Sequence, residues 1–227
     1  ESFELILYDY VNQIRKSPSG RNYPLTIISI TESDINQLGW PIDDSYLCKA
    51  IDKISQAGAK AIGFDLYRNR GVGKNQECLQ KRAKNNPLLV SIFNESKDIE
   101  AIPGTPNDRR AYNDLILDPD GVIRRDLVHV GGQGASKISL PLRLVSISNK
   151  NSNIDELIES GEINAPWLSP GSGGYQNIDA GGYQKLLFFR EPNSFKKFNL
   201  TELLKNNVPI QYLNNKIVLI NRGWVSE

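Results

Sequence analysis

The sequence predicts an α/β fold: a mixed, mainly parallel sheet covered by helices, with a β-hairpin extension. Two observations lead to this prediction. Over residues 25–93, short runs rich in β-branched and apolar residues alternate with amphipathic segments, and strands that alternate with helices form parallel sheets. Further along, the segment 118–121 (Asp-Pro-Asp-Gly) separates two strand-like runs, which is typical of a hairpin turn.

Each element of the first half has its own signal. Apolar residues at helical spacing predict a helix over Phe3–Ile14, and the run Leu25–Ile30 predicts a buried strand. Asp43 and Asp44 can cap a helix with an apolar stripe over residues 47–57, which Gly58 ends. The remaining elements predicted here are a strand over 61–66, a helix over 75–84 and a strand over 88–93.

The second half is less regular. Residues 94–110 are polar and contain Pro and Gly, so we expect a loop there. Two strands, over 112–117 and 122–130, flank the turn and form the hairpin. The elements predicted after it are helices over 140–147, within 149–164 and over 201–205, and strands over 186–189 and 216–220.

Length and composition limit the classes of function. The chain has 227 residues and no clean linker, so we expect a single domain over residues 1–227. The formal net charge is +1, with 27 basic and 26 acidic residues. No global basic field is available to hold nucleic acid, so we expect no nucleic-acid partner.

Cys48 and Cys78 are the two cysteines of the chain. They fall in separate predicted helices and do not form a disulfide framework or a metal cluster. Free cysteines are commonly buried, so we expect two unpaired buried thiols, with a bridge as the alternative. No cofactor and no bound metal are expected.

Acidic residues follow two predicted strands. Asp65 lies at the end of strand 61–66, while Glu32 and Asp34 come just after Leu25–Ile30. Ligands of open parallel sheets bind outside the carboxyl ends of the strands. We expect these strands to be neighbours, so the three carboxylates could converge on a cation or a polar ligand. The alternative is that Asp65 caps a turn and Glu32 is solvated.

Two aromatic residues near these strand ends join the candidate ligand-binding set. They are Trp40, which precedes Pro41, and Tyr67, two residues after Asp65. Trp40 could instead be a packing anchor at a corner between loop and helix. No catalytic residue is predicted: the single histidine, His129, has no nucleophile-elbow motif beside it.

The hairpin residues Asp118, Asp120, Gly121, Arg124 and Arg125 are predicted to be structural. The turn also resembles the start of a calcium loop, but no acidic residue follows at the twelfth position. The two arginines alternate along a strand, so at most one should face inward. An inward arginine needs an acidic partner, for which Asp65 and Asp118 are the candidates.

Several motifs in this order resemble the second-class CHASE domain (cyclases/histidine kinases associated sensory extracellular). The segments that carry the resemblance cover nearly the whole chain: residues 7–9 (Leu-Tyr-Asp), the strand exit 27–32, 38–41 (Leu-Gly-Trp-Pro), 58–65 (Gly-Ala-Lys-Ala-Ile-Gly-Phe-Asp), the pattern Asp118-x-Asp120-Gly121-x-x-Arg124-Arg125, 139–141 (Ser-Leu-Pro) and 216–220. The chain departs from the family at Asn221, where glycine is usual, and lacks the acidic and Thr-Pro-containing stretch that follows, so we expect a domain truncated at its C-terminal end.

The resemblance implies a ligand-sensing domain outside the cytoplasmic membrane of a bacterium. It also implies membrane helices that flank the domain and a cytoplasmic output, which is a histidine kinase, a nucleotide or diguanylate cyclase, or a serine/threonine kinase. We therefore expect an unknown small-molecule ligand, a homodimer in the full receptor and no enzymatic activity in this domain. Two alternatives remain open: a divalent-metal-dependent hydrolase that uses the acidic strand ends, and a structural dimerisation spacer.

Overall fold

A computed structural model describes residues 3–15, 23–130, 137–150, 154–160, 168–172, 174–191 and 193–223. The chain divides into two compact units. Unit 1 comprises Glu1–Asn22, Asp114–Ser139 and Asn153–Ser194, and unit 2 comprises Tyr23–Asn113, Leu140–Ser152 and Phe195–Glu227. The single domain over 1–227 stays a prediction.

The described residues form seven α-helices and ten strands. The helices are α1 (Phe3–Ile14), α2 (Glu32–Leu38), α3 (Asp44–Gln56), α4 (Glu77–Asn85), α5 (Leu140–Ser148), α6 (Ile154–Glu159) and α7 (Leu200–Leu204). The strands are β1 (Leu25–Ile30), β2 (Ala61–Asp65), β3 (Leu89–Phe93), β4 (Arg110–Tyr112), β5 (Leu115–Ile116), β6 (Arg125–Val130), β7 (Lys137–Ile138), β8 (Tyr183–Leu186), β9 (Lys196–Asn199) and β10 (Ile217–Arg222).

Unit 2 is built on a six-stranded sheet in the order β4-β3-β2-β10-β1-β9, and every adjacent pair is parallel. Helices α3, α4 and α7 pack on one face, where buried side chains such as Leu47, Leu79 and Leu200 meet Ile28 and Phe64 of the strands. Helix α5 covers the other face of the sheet. The predicted fold class is confirmed.

Close packing on the α5 face depends on Gly63. A Cβ atom at this position would lie 2.8 Å from the Leu219 side chain and 2.9 Å from that of Leu144, which is too close for carbon atoms. Leu144 belongs to α5 and Leu219 to β10. The missing side chain in β2 therefore lets the helix approach the sheet.

The strand order corrects one prediction. β1 and β2 were expected to be neighbours, but β10 lies between them and pairs with both. β10, which comes from the far end of the chain, enters the centre of the sheet, and local sequence patterns do not predict such an insertion. Glu32 and Asp65 therefore do not follow adjacent strands.

Some element bounds also differ from prediction. β4 replaces the end of the expected loop and the start of the first hairpin strand, and β8 ends at Leu186, where the predicted strand 186–189 was to begin. The edge strand β9 was not predicted because its sequence, Lys-Lys-Phe-Asn, lacks an apolar run; basic residues are common on edge strands. The helix expected within 149–164 corresponds to α6, and 151–153 and 161–164 lie outside the described residues.

Cys48 and Cys78 form a disulfide, so the expectation of unpaired thiols was wrong. Cys48 is on α3 and Cys78 on α4, and their Cα atoms are 6.3 Å apart. Both side chains are buried in the core between these helices and the sheet. Sequence spacing could not show this pairing, because it depends on two crossover helices that pack side by side on one face.

Unit 1 contains a small antiparallel sheet around β6. β5 pairs with the first residues of β6, β7 with its last residues, and β8 with most of its length. The predicted turn is present: the N–H of Gly121 donates to the carbonyl of Asp118 at 2.8 Å, and Gly121 has φ +79°, a value that favours glycine.

Candidate functional site

The carboxyl end of the parallel sheet in unit 2 carries a row of polar side chains. Ser29, Asn221 and Asp65 lie in register at the ends of β1, β10 and β2. The Ser29 hydroxyl donates to Oδ1 of Asn221 at 3.0 Å, and the Asn113 amide donates to Oδ1 of Asp65 at 2.7 Å. This edge is the place where parallel sheets bind ligands.

Asp65 is the acid in this row. Burial raises the pKa of its carboxyl above the ordinary value, and the hydrogen bond from Asn113 only partly offsets that effect. A half-buried carboxylate without a basic partner among its described contacts costs stability in its ionised form. Carboxyl groups whose pKa is shifted by burial occur often in functional sites.

Glu32 and Trp40 meet at Arg222. The Arg222 guanidinium lies 4.6 Å from the centre of the Trp40 ring and 3.8 Å from a Glu32 carboxylate oxygen. The Arg222 and Glu32 side chains are 52% and 59% exposed, so this ion pair adds little stability. Trp40 is thus a platform for a protein cation, and its expected role in ligand binding stays a prediction.

Asp34 is fully buried and serves two helix starts. Its carboxylate accepts hydrogen bonds from the backbone N–H and hydroxyl of Thr31, each 2.8 Å long, which completes a capping box on α2. It also accepts from the backbone N–H of Thr201 at 2.8 Å, at the start of α7. Burial opposes ionisation of Asp34, but the bonds from Thr31 and Thr201 outweigh it and lower its pKa.

Tyr67 lies beyond the end of β2, and its hydroxyl accepts a hydrogen bond from the Asn94 amide at 3.3 Å. The five predicted ligand-binding residues are therefore not one cluster. Glu32 and Trp40 share Arg222, Asp65 pairs with Asn113, and Asp34 joins two helices. Their role in ligand binding stays a prediction.

Arg124 is the centre of a second polar cluster, in unit 1. Its side chain is 2% exposed, and each of its five N–H groups donates a hydrogen bond. Two go to the Asp9 carboxylate at 2.7 and 2.8 Å, two to Asp120 at 2.7 and 3.0 Å, and one to Asp118 at 2.9 Å. The bonds to Asp9 and then Asp120 raise the pKa of Arg124 above its usual range.

Asp118 binds both arginines of the motif. Its Oδ1 atom accepts from Nε of Arg125 at 2.7 Å, and its Oδ2 atom accepts from Arg124 and from the Tyr175 hydroxyl, each at 2.9 Å. Burial, and next the bond to Asp118, raises the pKa of Tyr175. Gln184 accepts a further bond from Arg125 at 2.6 Å.

The expectation that at most one arginine faces inward was therefore wrong. Arg124 and Arg125 are each 2% exposed. Strand alternation does not separate them, because Arg124 precedes β6 and Arg125 is its first residue. Of the two acids proposed as partners, Asp118 is the one that binds them. The structural role of the motif stays a prediction.

A cavity of about 420 Å³ lies beside this cluster, entirely within unit 1. Its walls include the apolar side chains of Leu5, Pro119 and Ile178 and the ring of Tyr175, with Asp120 as an accessible acid. Volumes of this size are typical of small-molecule sites. Among the described residues, no group of three or more His, Cys, Asp or Glu is arranged to hold a metal ion.

Sequence reasoning missed three members of this cluster. Asp9 is 115 positions from Arg124, Gln184 is 59 from Arg125, and Tyr175 is 57 from Asp118, so no local pattern connects them. The capping role of Asp34 did have a signal: Thr31 followed three residues later by an acid is a capping-box sequence.

The comparison with protein families decides the membership of this chain. The model of the CHASE2 domain matches residues 1–222, nearly the full length. The chain belongs to the CHASE2 domain family. This match confirms the resemblance that the sequence motifs indicated. CHASE2 domains are extracellular sensory domains of receptors. No curated protein gave a significant match, and neither did any solved structure.

Within the part of the CHASE2 domain that the structure describes, no helix combines the length and the apolar character that crossing a bilayer requires.

Proposed function

We propose that this CHASE2 domain is the ligand-sensing, extracytoplasmic part of a bacterial transmembrane signalling receptor. The observation that carries the proposal is the family match over residues 1–222, because the family consists of extracellular sensory domains. The output would be a histidine kinase, a nucleotide or diguanylate cyclase, or a serine/threonine kinase, and the ligand a small molecule.

The disulfide supports this placement. Structural disulfides persist in oxidising compartments such as the bacterial periplasm and are rare in the cytosol of ordinary bacteria. The bridge between Cys48 and Cys78 is buried in the core of unit 2. A protein that folds around such a bond is suited to the outer side of the cytoplasmic membrane.

The mechanism we propose is a population shift. A ligand that binds one of two arrangements more tightly favours that arrangement, and the difference in affinity is passed to the membrane helices. Helix α1 is the proposed connector, since Asp9 fixes it to the buried Arg124. A homodimer would bring two such helices together in the full receptor.

Two experiments test the proposal. Alkaline phosphatase fused behind the domain in the intact receptor should be active, because it folds only after export, whereas a β-galactosidase fusion at the same point should be inactive. A library of small metabolites should contain a compound that raises the melting temperature of the domain, because binding to the native state stabilises it.

Each alternative predicts a different outcome. A metal-dependent hydrolase requires a shift in melting temperature with Mg²⁺, Mn²⁺ or Ca²⁺ that Asp65→Asn abolishes. A structural spacer requires that no compound in the library stabilises the fold. An inactive phosphatase fusion would overturn the extracytoplasmic placement, and deletion of α1 without loss of ligand control would overturn its role as connector.

A further inference from the structure

Helix α1 has one face that packs within unit 1. Asp9 accepts two hydrogen bonds from Arg124, the Tyr8 hydroxyl donates to the carbonyl of Leu187, and Leu5 lines the cavity of this unit. Tyr8 and Asp9 lie three and four residues after Leu5, so the three side chains share one side of the helix. These contacts fix which side of α1 faces unit 1.

The other face of α1 is apolar and exposed. Its large side chains, each 45% to 77% exposed, are Phe3, Ile6, Leu7, Tyr10, Val11 and Ile14. The four that are spaced four, three and four residues apart, which form the α1 seam, are Phe3, Leu7, Tyr10 and Ile14. This alternating spacing places them in one stripe, and it is the pattern by which one helix packs along another.

Further apolar residues lie on the flanks of the α1 seam. In a parallel pair of helices with this spacing, Ile6 of one copy lies beside Val11 of the other. Phe188, which is 61% exposed, adds to the patch: the centre of its ring is 6.4 Å from that of Tyr8 and 4.9 Å from the Arg15 guanidinium. The apolar surface is therefore wider than the seam alone.

The size of this surface suits a weak dimer. An aromatic side chain presents about 150–250 Å² and an aliphatic one less, so the six α1 residues offer roughly 600 Å² of apolar surface per copy at their observed exposure. Stable interfaces bury about 800 Å² per partner, and transient ones bury less. Pairing of α1 would therefore be weak between free domains and stronger where a shared membrane raises the effective concentration.

Charge favours a second copy over a lipid surface as the partner of this face. Helices that lie on membranes are rich in Lys and Arg on their polar face, whereas the charged residues of α1 are Glu4 and Asp9. Anionic lipids attract basic segments and repel acidic ones. The α1 seam has no charged residue, so two copies can meet along it without like charges in direct opposition.

We propose that the α1 seam is the dimer interface of this domain and that its partner is the same helix of a second copy, packed parallel and in register. The parallel direction rests on the receptor function proposed above, because two receptors in one membrane have the same orientation. In such a symmetric pair each seam residue meets its own counterpart. α1 then contacts unit 1 with one face and the second copy with the other.

Single cysteines test the interface and its direction. Cys48 and Cys78 are bridged, so an introduced cysteine is the one free thiol of the chain. Phe3→Cys and Ile14→Cys should each form a disulfide-linked dimer roughly tenfold faster than Lys81→Cys, which lies on the exposed surface of unit 2. The two α1 positions are about 16 Å apart along the helix, so an antiparallel pair would link Phe3→Cys only to Ile14→Cys. That result, or linkage no faster than in Lys81→Cys, would overturn the proposal.

Sedimentation measures the same contact without cross-linking. The wild-type chain should change from monomer to dimer as its concentration rises. Leu7→Glu places like charges opposite each other in the seam and should keep the chain monomeric, while its melting temperature shows that it folds. Ile210→Glu, at an exposed apolar residue of unit 2, is the matched control and should dimerise like the wild type. A wild type that is still monomeric at about 1 mM, or dimers that survive Leu7→Glu, would overturn the proposal.

Vesicles test the membrane as the alternative partner. If α1 docks on lipid, the chain should cosediment with vesicles of phosphatidylcholine and phosphatidylglycerol, and Leu7→Glu should abolish this binding. Cosedimentation without dimers in solution or cross-links would overturn the proposal. Dimers that form without vesicles would support it.

The interface and the sensing function can fail separately. If the phosphatase fusion is active and a metabolite stabilises the domain, but Phe3→Cys and Ile14→Cys do not cross-link, the sensing function stands and the interface is wrong. If both cysteines cross-link and the phosphatase fusion is inactive, the interface stands and the receptor placement is wrong.

Discussion

Arg124 combines full burial with complete hydrogen bonding. A buried guanidinium is costly to desolvate, and here five bonds to three carboxylates offset that cost. The net gain from such a network is small, but the loss of one member leaves buried charges without a partner. The residue therefore has a larger effect when removed than its own contribution suggests.

Arg124→Met should destabilise the fold by about 3 to 5 kcal/mol, since it removes the guanidinium that Asp9 and Asp120 bind and leaves Arg125 as the one described cation beside the buried Asp118. Arg124→Lys should cost less, because it keeps the charge but not the paired bonds. Urea unfolding measures both. Lys81→Met is the control: its ion pair with Glu77 is 69% and 75% exposed, so it should cost under about 0.5 kcal/mol. If Arg124→Met and Lys81→Met lower the free energy of unfolding by the same amount, burial of the Arg124 network has no special effect on stability and the prediction is wrong.

Asp65 carries a charge at a cost to stability. Burial raises its folded-state pKa above the value of the unfolded chain, which is about 3.9. Its ionised form therefore destabilises the fold at pH values above the folded-state pKa. This cost disappears as the pH falls below the unfolded value.

Asp65→Asn should accordingly raise the melting temperature at pH 7 and change it little near pH 3, where both forms of the protein are neutral at this position. Thermal unfolding across that range checks the sign. Asp108 is 67% exposed, and water solvates its charge, so Asp108→Asn should show no comparable gain at pH 7. A loss of stability in Asp65→Asn at neutral pH would show that the carboxylate has a stabilising partner.

Among the elements, α3 and α4 are joined by both packing and a covalent bond. The bridge between Cys48 and Cys78 closes a loop of 30 residues that contains β2. Arg82 on α4 also reaches back to Asp52 on α3, with Nε donating to Oδ1 at 2.9 Å. The two helices thus hold one side of the central strands in place.

Removal of the bridge in a Cys48→Ser, Cys78→Ser double variant should lower the free energy of unfolding by about 3 to 4 kcal/mol, the loop-entropy value for this separation. Urea unfolding with and without reductant provides the measurement. Reductant should destabilise the wild type by a similar amount and leave the double variant unchanged. If reductant leaves the urea unfolding curve of the wild type unchanged, even after an unfolding step that exposes the cysteines, the disulfide does not contribute to stability as proposed.

At the scale of the whole molecule, the described residues of the two units differ in what they bury. Both hydrophobic clusters of the described residues lie in unit 2, around β1, β2 and β10. In unit 1 the largest fully buried side chain is that of Arg124. Among the described residues, unit 2 therefore contains the larger apolar core, and unit 1 contains a buried polar network with a few buried apolar side chains such as Ile138 and Ile178.

This difference predicts unequal protection of backbone amides. Amides of β1, β2 and β10 should exchange slowly, because they are exposed only when the whole domain unfolds. Amides of β5, β6 and β8 should exchange faster, through local openings that cost less free energy. Hydrogen exchange of the native domain, read by mass spectrometry, tests the order. Arg124→Met should speed exchange in unit 1 far more than in the central strands of unit 2. Uniform acceleration would mean that the units open together.

Local residue patterns were enough to predict several helices and strands and the hairpin turn. Periodic apolar residues defined α1 and α3, β-branched runs defined β1 and β10, and Asp118 to Gly121 defined the hairpin turn, because each signal lies within a few neighbouring residues. The ordered motifs also indicated the family that the comparison confirmed.

Which elements meet became visible only in the folded chain. The insertion of β10 between β1 and β2, the disulfide and the bonds from Arg124 to Asp9 join residues that are distant along the chain. Such contacts depend on the packing of whole elements, and local residue patterns do not encode it. The cavity of unit 1 was invisible in the sequence for the same reason: its walls come from α1, the hairpin turn and the segment around Tyr175.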